Sequence, residues 1–226
     1  GPAQESLAMW CRLHQEPHRE ISVARHTLAS LFEDLGRFEE SETLMRQELA
    51  SRRELFGPQS TEVMVATSAL AGLLDASGRH RKAEALHREA LALARELYAG
   101  DHAFVVRGLT LLARNLLLGQ RPQEAEELLR EALAQRLRLH AGDHWRIDSA
   151  KVELGRALIG TGRLGEARRL LSEAHDGLLL RRGKDSQEAR KALEALAHLE
   201  DAERARREAE GRRDLPKPLK EERADA

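Results

Sequence analysis

The chain has one cysteine, Cys11, among 226 residues, which excludes an intramolecular disulfide framework and fits a reducing compartment. Aromatic residues make up only 3% of the chain, and few stretches alternate polar residues with β-branched apolar ones, so a sheet-based fold is not expected. Apolar runs of membrane-spanning length are missing, and the N-terminus has no basic segment followed by an apolar one. A charge excess is missing too: 37 basic residues face 38 acidic ones. That balance argues against nucleic acid or an anionic membrane as the main partner. A soluble, cytoplasmic protein is expected.

What is abundant is Ala, Leu and charge, with Asp, Glu, Lys and Arg at 33%, a composition suited to helices. The stretch "AEALHREAL" at 83–91 returns as "AEELLREAL" at 125–133, 42 residues later. Sliding the chain against itself by that interval brings whole columns into register. Leu28, Leu70, Leu112 and Leu154 form one column, and the next position is small each time: Ala29, Ala71, Ala113 and Gly155. Phe32, Leu74, Leu116 and Leu158 follow four residues after the Leu column, hence on the same helical face. These columns define a helix A in each unit.

A turn is expected at Gly36, Gly78, Gln120 and Gly162, since glycine permits the left-handed backbone that ends a helix. The third unit departs, with Gly119 one place early and Pro122 after it, so a distorted turn is expected there. Helix B follows, with Ser41, Ala83, Ala125 and Ala167 in a column where two helices approach closely. Leu44, Leu86, Leu128 and Leu170, then Glu48, Ala90, Ala132 and Ala174, continue it. Each unit closes with a loop, "FGPQS", "AGDHA", "AGDHW" or "RGKDS", in which a Ser or Asp is expected to cap the next helix A. Antiparallel helix pairs repeated in this way stack into an all-α solenoid.

The pattern runs past both ends. Leu7, Leu13 and Ile21 precede Leu49, Leu55 and Val63 by one period, so residues 3–16 read as a helix B without its helix A. Leu196 and Ala197 continue the Leu-small column into a terminal helix over roughly 187–210. The expected units are 1–21, a partial leading repeat with its loop; 22–63, 64–105, 106–147 and 148–189, four full repeats; 190–210, a capping helix; and 211–226, a charged tail containing "LPKPLK". The orphan first helix, with a start at Gly1-Pro2 rather than methionine, suggests a piece of a longer chain from which a tag was cleaved.

The order of a large-small pair, a Gly turn, then Ala and Ala-Leu resembles the tetratricopeptide repeat. The 42-residue period and the "GDH" loops are similar to its longer kinesin-light-chain type, over about residues 3–205. The resemblance implies a right-handed α-α superhelix whose helix A residues line a concave groove for peptides or protein segments. The Ala-, Arg- and Leu-rich composition suits a bacterial source with a GC-rich genome, and bacterial members resembling this chain are often appended to serine/threonine kinases, transcriptional regulators or signalling ATPases.

Carried over position by position, the groove-facing residues implied by the resemblance are Val23, His26, Ser30, Glu33 and Asp34 in the first repeat, and Val65, Ser68, Gly72, Asp75 and Ala76 in the second. Arg107, Thr110, Arg114, Leu117 and Leu118 follow in the third, then Ser149, Val152, Arg156, Ile159 and Gly160 in the fourth. The terminal helix adds Lys191, Glu194 and His198. One end of this groove is acidic and the other basic with an apolar floor, an arrangement that orients a ligand of matching polarity. Arg114 and Arg156, one period apart, are the expected anchors of an acidic segment of a partner, through the carboxylate-matching fork of guanidinium. The chaperone-tail clamp of some family members needs a Lys where this chain has His26, Ser68, Thr110 and Val152, and so is rejected.

Chemistry beyond binding is not expected. His140 and His144 have a metal-compatible spacing if helical, but His102 occupies the same loop slot as His144, so the repeat explains one of the two. Cys11 has His14 one turn away and no further catalytic partner, and reads as a small hydrophobe. Carboxylate pairs such as Glu39-Glu40 and Glu126-Glu127 have basic neighbours at helical spacing, which solvated ion pairs explain. No phosphate-binding loop, nucleophile elbow or zinc cluster is present, so no enzyme, no cofactor and no metal are expected. The leading expectation is a scaffold that binds a protein or peptide. The alternatives are a regulatory segment of a larger signalling protein and a homo-oligomeric assembly scaffold.

Overall fold

The structure, a computed structural model, describes residues 2–14, 18–140 and 144–213, and of residues 2–4 and 211–213 the backbone alone. Among the described residues ten helices follow one another: α1 (Pro2–Leu13), α2 (Arg19–Asp34), α3 (Phe38–Phe56), α4 (Thr61–Ala76), α5 (His80–Leu97), α6 (Ala103–Leu118), α7 (Pro122–Leu139), α8 (Trp145–Gly160), α9 (Leu164–Arg182) and α10 (Gln187–Arg213). Each packs on its successor, and α8 also meets α6 and α10. The result is an all-α solenoid of antiparallel pairs, with α2, α4, α6 and α8 as the A helices and α3, α5, α7 and α9 as the B helices. The "LPKPLK" stretch of the expected tail lies outside the described residues.

The small columns are where the pairs close. Ala29, Ala71 and Ala113 are fully buried, as are Ser41, Ala83, Ala125 and Ala167. Ser41 fits the alanine column because its hydroxyl donates to Ala29 O at 2.7 Å, which satisfies the buried polar atom. Gly155 replaces Ala for a steric reason: an added Cβ would lie 2.5 Å from Leu171 Cδ2. The apolar columns fuse into a large cluster reaching from Met64 to Leu199 and a smaller one from Ala29 to Leu73.

The A-to-B turn in the third repeat is not distorted. Gln120 takes φ 57°, the same left-handed conformation as Gly36, Gly78 and Gly162, and it is the one described non-glycine residue to do so. The bonds match as well: Gln120 N donates to Leu117 O (3.1 Å) and Arg121 N to Leu116 O (2.9 Å), as Gly78 and Arg79 do to Asp75 and Leu74 (3.0 and 2.8 Å). Hydrogen bonding and packing of the flanking helices outweigh the local cost of a β-carbon in that region, about 1 kcal/mol.

Capping differs from the sequence expectation in the two "GDH" loops. Ser60 and Ser186 cap α4 and α10, accepting from Val63 N (3.4 Å) and Ala189 N (3.2 Å). In α6 and α8 the cap is a histidine ring: His102 Nδ1 accepts from Phe104 N (3.2 Å) and His144 Nδ1 from Arg146 N (3.1 Å). Asp101 is instead drawn across the loop to Arg138, 2.7 Å from its Nη2.

Glu126 is not a solvated surface carboxylate. It is 8% exposed and accepts from Arg130 on its own helix, from Thr161 (3.0 Å) and from Arg163 of the next repeat (2.6 Å). The arrangement recurs with the repeat: Glu42 joins Arg46 and Arg79, and Glu84 joins Arg88 and Arg121. Burial alone would raise the Glu126 carboxyl, but hydrogen bonds from Arg130 and Thr161 and the Arg163 charge hold it below the ordinary range. A ladder of buried or half-buried carboxylates, each tied to the next repeat, therefore reinforces the apolar columns.

Candidate functional site

The residues proposed to face the groove divide into two groups by what surrounds them. In the N-terminal half they are largely answered within the chain. His26 Nδ1 lies 3.2 Å from Glu48 Oε2, and Glu48 also meets Arg52 at 2.6 Å. The hydrogen bond to Glu48 raises the His26 pKa against the opposing effect of burial. Glu48 is 2% exposed in a column otherwise filled by Ala90, Ala132 and Ala174, so this carboxylate belongs to the interior.

Asp75 is likewise committed. His80 Nδ1 (3.0 Å), His87 Nε2 (2.9 Å) and Asn115 Nδ2 (2.7 Å) all approach its carboxylate, and Asn115 also donates to His80 O at 2.9 Å. Burial would raise the Asp75 carboxyl, but the bonds from His87, His80 and Asn115 keep it below the ordinary range. His87 stands in the column of Met45, Leu129 and Leu171, and Asn115 in that of Leu31, Leu73 and Ala157. Two apolar columns turn polar at one junction, and their side chains meet there. Glu33 is half-buried and Asp34 exposed, at the acidic end.

The C-terminal half is different. A cleft of about 210 Å³ between α6, α7, α8 and α10 is lined by Thr110, Arg114, Val152 and Lys191, together with Arg136, Trp145, Arg146, Ser149, Glu153 and Glu188. A second, of about 390 Å³, shares Arg114 and Glu153 with it and adds Leu117, Leu118, Arg156, Ile159 and His198. The two form one trough along the A helices, and the structure brings Thr110, Arg114, Leu117, Val152, Arg156, Ile159, Lys191 and His198 together there. Arg107 sits apart, beside Val65, Ser68 and Phe104 in a crevice between α4 and α6.

Two of the expected residues have other duties. Val152 is 3% exposed and belongs mainly to the core. Arg114 is paired with Glu153, a carboxylate only 6% exposed, and that hydrogen bond outweighs burial in raising the arginine's pKa. Arg156, by contrast, is exposed and has no carboxylate within ion-pair reach among the described residues. Leu118, 55% exposed, gives the trough an apolar edge.

Sequence reasoning missed Arg136, Trp145, Arg146, Glu153 and Glu188. Arg136 comes from a B helix and Trp145 and Arg146 from the first turn of α8, outside the helix A positions considered. Trp145 was visible as one of two tryptophans, but its role depends on neighbours: Arg146 and Arg182 carbons lie 4.9 and 4.8 Å from its ring centroid. Burial and the nearby Arg146 charge lower the Arg136 pKa.

The His140 and His144 rings stack at 4.1 Å, and among the described residues no cluster of three or more potential metal ligands converges. Cys11 is exposed on α1. Among the described residues no helix is long and apolar enough to cross a membrane.

Similarity to known proteins agrees with the geometry. The tetratricopeptide repeat family matches residues 19–96 and 62–138, and again 149–173. Among solved structures, a Podosopora anserina protein of nearly identical, kinesin-light-chain-named TPR-like repeats is 22% identical, with a TM-score of 0.69 over 83% of this chain and 89% of that one. BtubC (BKLC) from P. vanneervenii is 20% identical, with a TM-score of 0.69 over 82% and 74% of the two chains. Rap protein, complexed with Competence and Sporulation Factor, is 17% identical, with a TM-score of 0.58 over 84% and 57%. Among curated proteins, none matches the chain.

Proposed function

The chain belongs to the tetratricopeptide repeat family, and from that premise we propose that it is a non-catalytic interaction scaffold that takes a partner protein segment in the C-terminal half of its concave groove. The fold is that of a protein-interaction scaffold in general. The observation that carries the finer reading is the trough lined by Leu117, Leu118, Arg156, Ile159 and His198, where an apolar floor meets an arginine that has no carboxylate partner among the described residues. A bound peptide would cover the leucines and bring an acidic group to Arg156. Arg114 lies beside it with its charge already matched by Glu153, so it lends hydrogen bonds and position more than net charge. Rap shows the same fold in complex with Competence and Sporulation Factor, which agrees with a binding role for such a scaffold.

A peptide-array screen followed by titration in solution tests this. Arg156→Glu and Ile159→Asp should each weaken any selected peptide by about tenfold or more, while Ser30→Asp in the N-terminal half should leave it unchanged. Equal loss from Ser30→Asp and none from Arg156→Glu would place the partner elsewhere.

A further inference from the structure

Most cations on this solenoid are matched. The ladder takes Arg79, Arg121 and Arg163, and cross-repeat pairs take Arg53, Arg95, Arg130 and Arg168. The wall of the α6–α8–α10 cleft brings three others together. Arg136, Arg146 and Lys191 line it, and among the described residues none has a carboxylate within ion-pair reach.

Both acids that line the cleft have a basic partner, and Glu153 Oε2 is buried without a hydrogen-bond partner among the described residues. Glu153 is held by Arg114, and Glu188 lies 3.7 Å from Arg182. The remaining neighbour, His140, does not help: burial, His144, Arg136 and Arg146 all lower its pKa. Arg136 and Lys191 are both half-buried, so water answers them only in part. The C-terminus of α7 favours a cation at Arg136 but neutralises only a fraction of a charge. Arg146 is held against the Trp145 face, which limits its freedom to swing away. The hydroxyls of Thr110 and Ser149 complete the lining, Thr110 already donating to Val106 O at 2.8 Å.

We propose that this cleft holds the phosphoryl group of a phosphorylated serine or threonine in the bound partner segment, gripped by Arg136, Arg146 and Lys191. The inference rests on the groove reading above, and the cleft joins the peptide trough at Arg114 and Glu153. A carboxylate brings one charge to three unmatched cations, whereas a phosphoryl group brings nearly two and three acceptor oxygens. Two guanidinium forks and an ammonium suit that geometry. Three such cations meet in one cleft, which fits a single anionic group better than a polyanion.

The test uses Trp145 as its reporter. In a Trp10→Phe background it is the remaining indole. Inorganic phosphate added at constant ionic strength should change its emission saturably, where sodium chloride does not. Arg136→Gln and Lys191→Gln should each abolish that response while circular dichroism stays helical; Lys191→Gln, on α10, serves if the α7 variant unfolds. A degenerate phosphoserine and phosphothreonine peptide library should then bind about tenfold or more tighter than its unphosphorylated counterpart, with the preference lost in both variants.

No phosphate response, or one unchanged in both variants, would overturn the site. Equal binding of the two libraries, weakened by Arg156→Glu, would overturn the phosphoryl site and leave the groove reading standing. A phosphate response with no peptide bound from either library would overturn both the phosphorylated segment and the groove reading.

Discussion

The first two helix pairs and the last two share a backbone plan but use polar residues in opposite ways. At the N-terminal end a carboxylate enters a small-residue column at Glu48 and meets His26 and Arg52, and at the next junction Asp75 collects His80, His87 and Asn115. At the C-terminal end the corresponding columns carry Ala132, Ala174, Leu129 and Leu171, all buried, and the polar residues stand at the cleft wall instead. Charges satisfied inside the chain are unavailable to a partner, because breaking a buried pair leaves its other half desolvated and alone. The difference teaches where cations are left unmatched: at the cleft wall, where Arg136, Arg146 and Lys191 have no carboxylate within ion-pair reach among the described residues, although Glu126 and Glu153 in the same half hold Arg163 and Arg114.

The comparison can be broken most severely in the apolar half. Ala125 is fully buried, so Ala125→Arg forces a guanidinium into a helix contact and should cost about 4 kcal/mol or more. Thermal or urea unfolding that matched the parent would show the helix register to be wrong. In the polar half, Asp75→Asn keeps the shape and one acceptor oxygen but removes the charge and turns the other oxygen into a donor, with an expected loss of about 2 kcal/mol. The matching change Ile159→Asn, one period below Leu117 at the groove floor, should cost less, since Ile159 is only half-buried.

The pH dependence of stability sharpens the same contrast. The Asp75 carboxyl is lower in the folded protein than in the unfolded chain, so its contribution is complete above about pH 4. It fades as pH falls through the depressed folded value. Acid unfolding followed by circular dichroism should therefore lose part of its slope below pH 4 in Asp75→Asn. An unchanged acid limb would mean that the cluster formed by Asp75, His87 and Asn115 is not coupled to folding.

Two small gains are expected where the sequence breaks its own pattern. Gln120→Gly should raise stability by up to about 1 kcal/mol, because it removes a β-carbon from the left-handed region that glycine occupies in the other three turns. Thr67 is fully buried with no partner for its hydroxyl among the described residues, so the isosteric Thr67→Val should be neutral or stabilising by a few tenths of a kcal/mol. A destabilised Thr67→Val would reveal a hydrogen bond made in solution.

The helices and their pairing were legible because the columns are local and periodic. Leu28, Leu70, Leu112 and Leu154 need only a neighbour four residues away and a copy one period on to declare a face. The turn at Gln120 was misjudged because glycine was taken as a requirement, when the bonds of the flanking helices are enough to hold the conformation. Glu126 was taken for a surface residue because its decisive partners, Thr161 and Arg163, lie 35 and 37 residues away. Ten of the residues singled out from sequence do converge in the trough, but Arg136, Trp145 and Arg146 came from positions outside the helix A template.

By itself, then, the sequence determined the repeat, the helix pairs and the small-residue seams, since each follows from side-chain size recurring at a fixed interval. Which charges are free was decided only by the tertiary structure. An arginine is silent or available according to whether a carboxylate from another helix reaches it, as Glu153 reaches Arg114 across 39 residues and nothing described reaches Arg136. Electrostatic satisfaction depends on distance in space, and spacing along the chain carries that information only where the repeat makes the two the same.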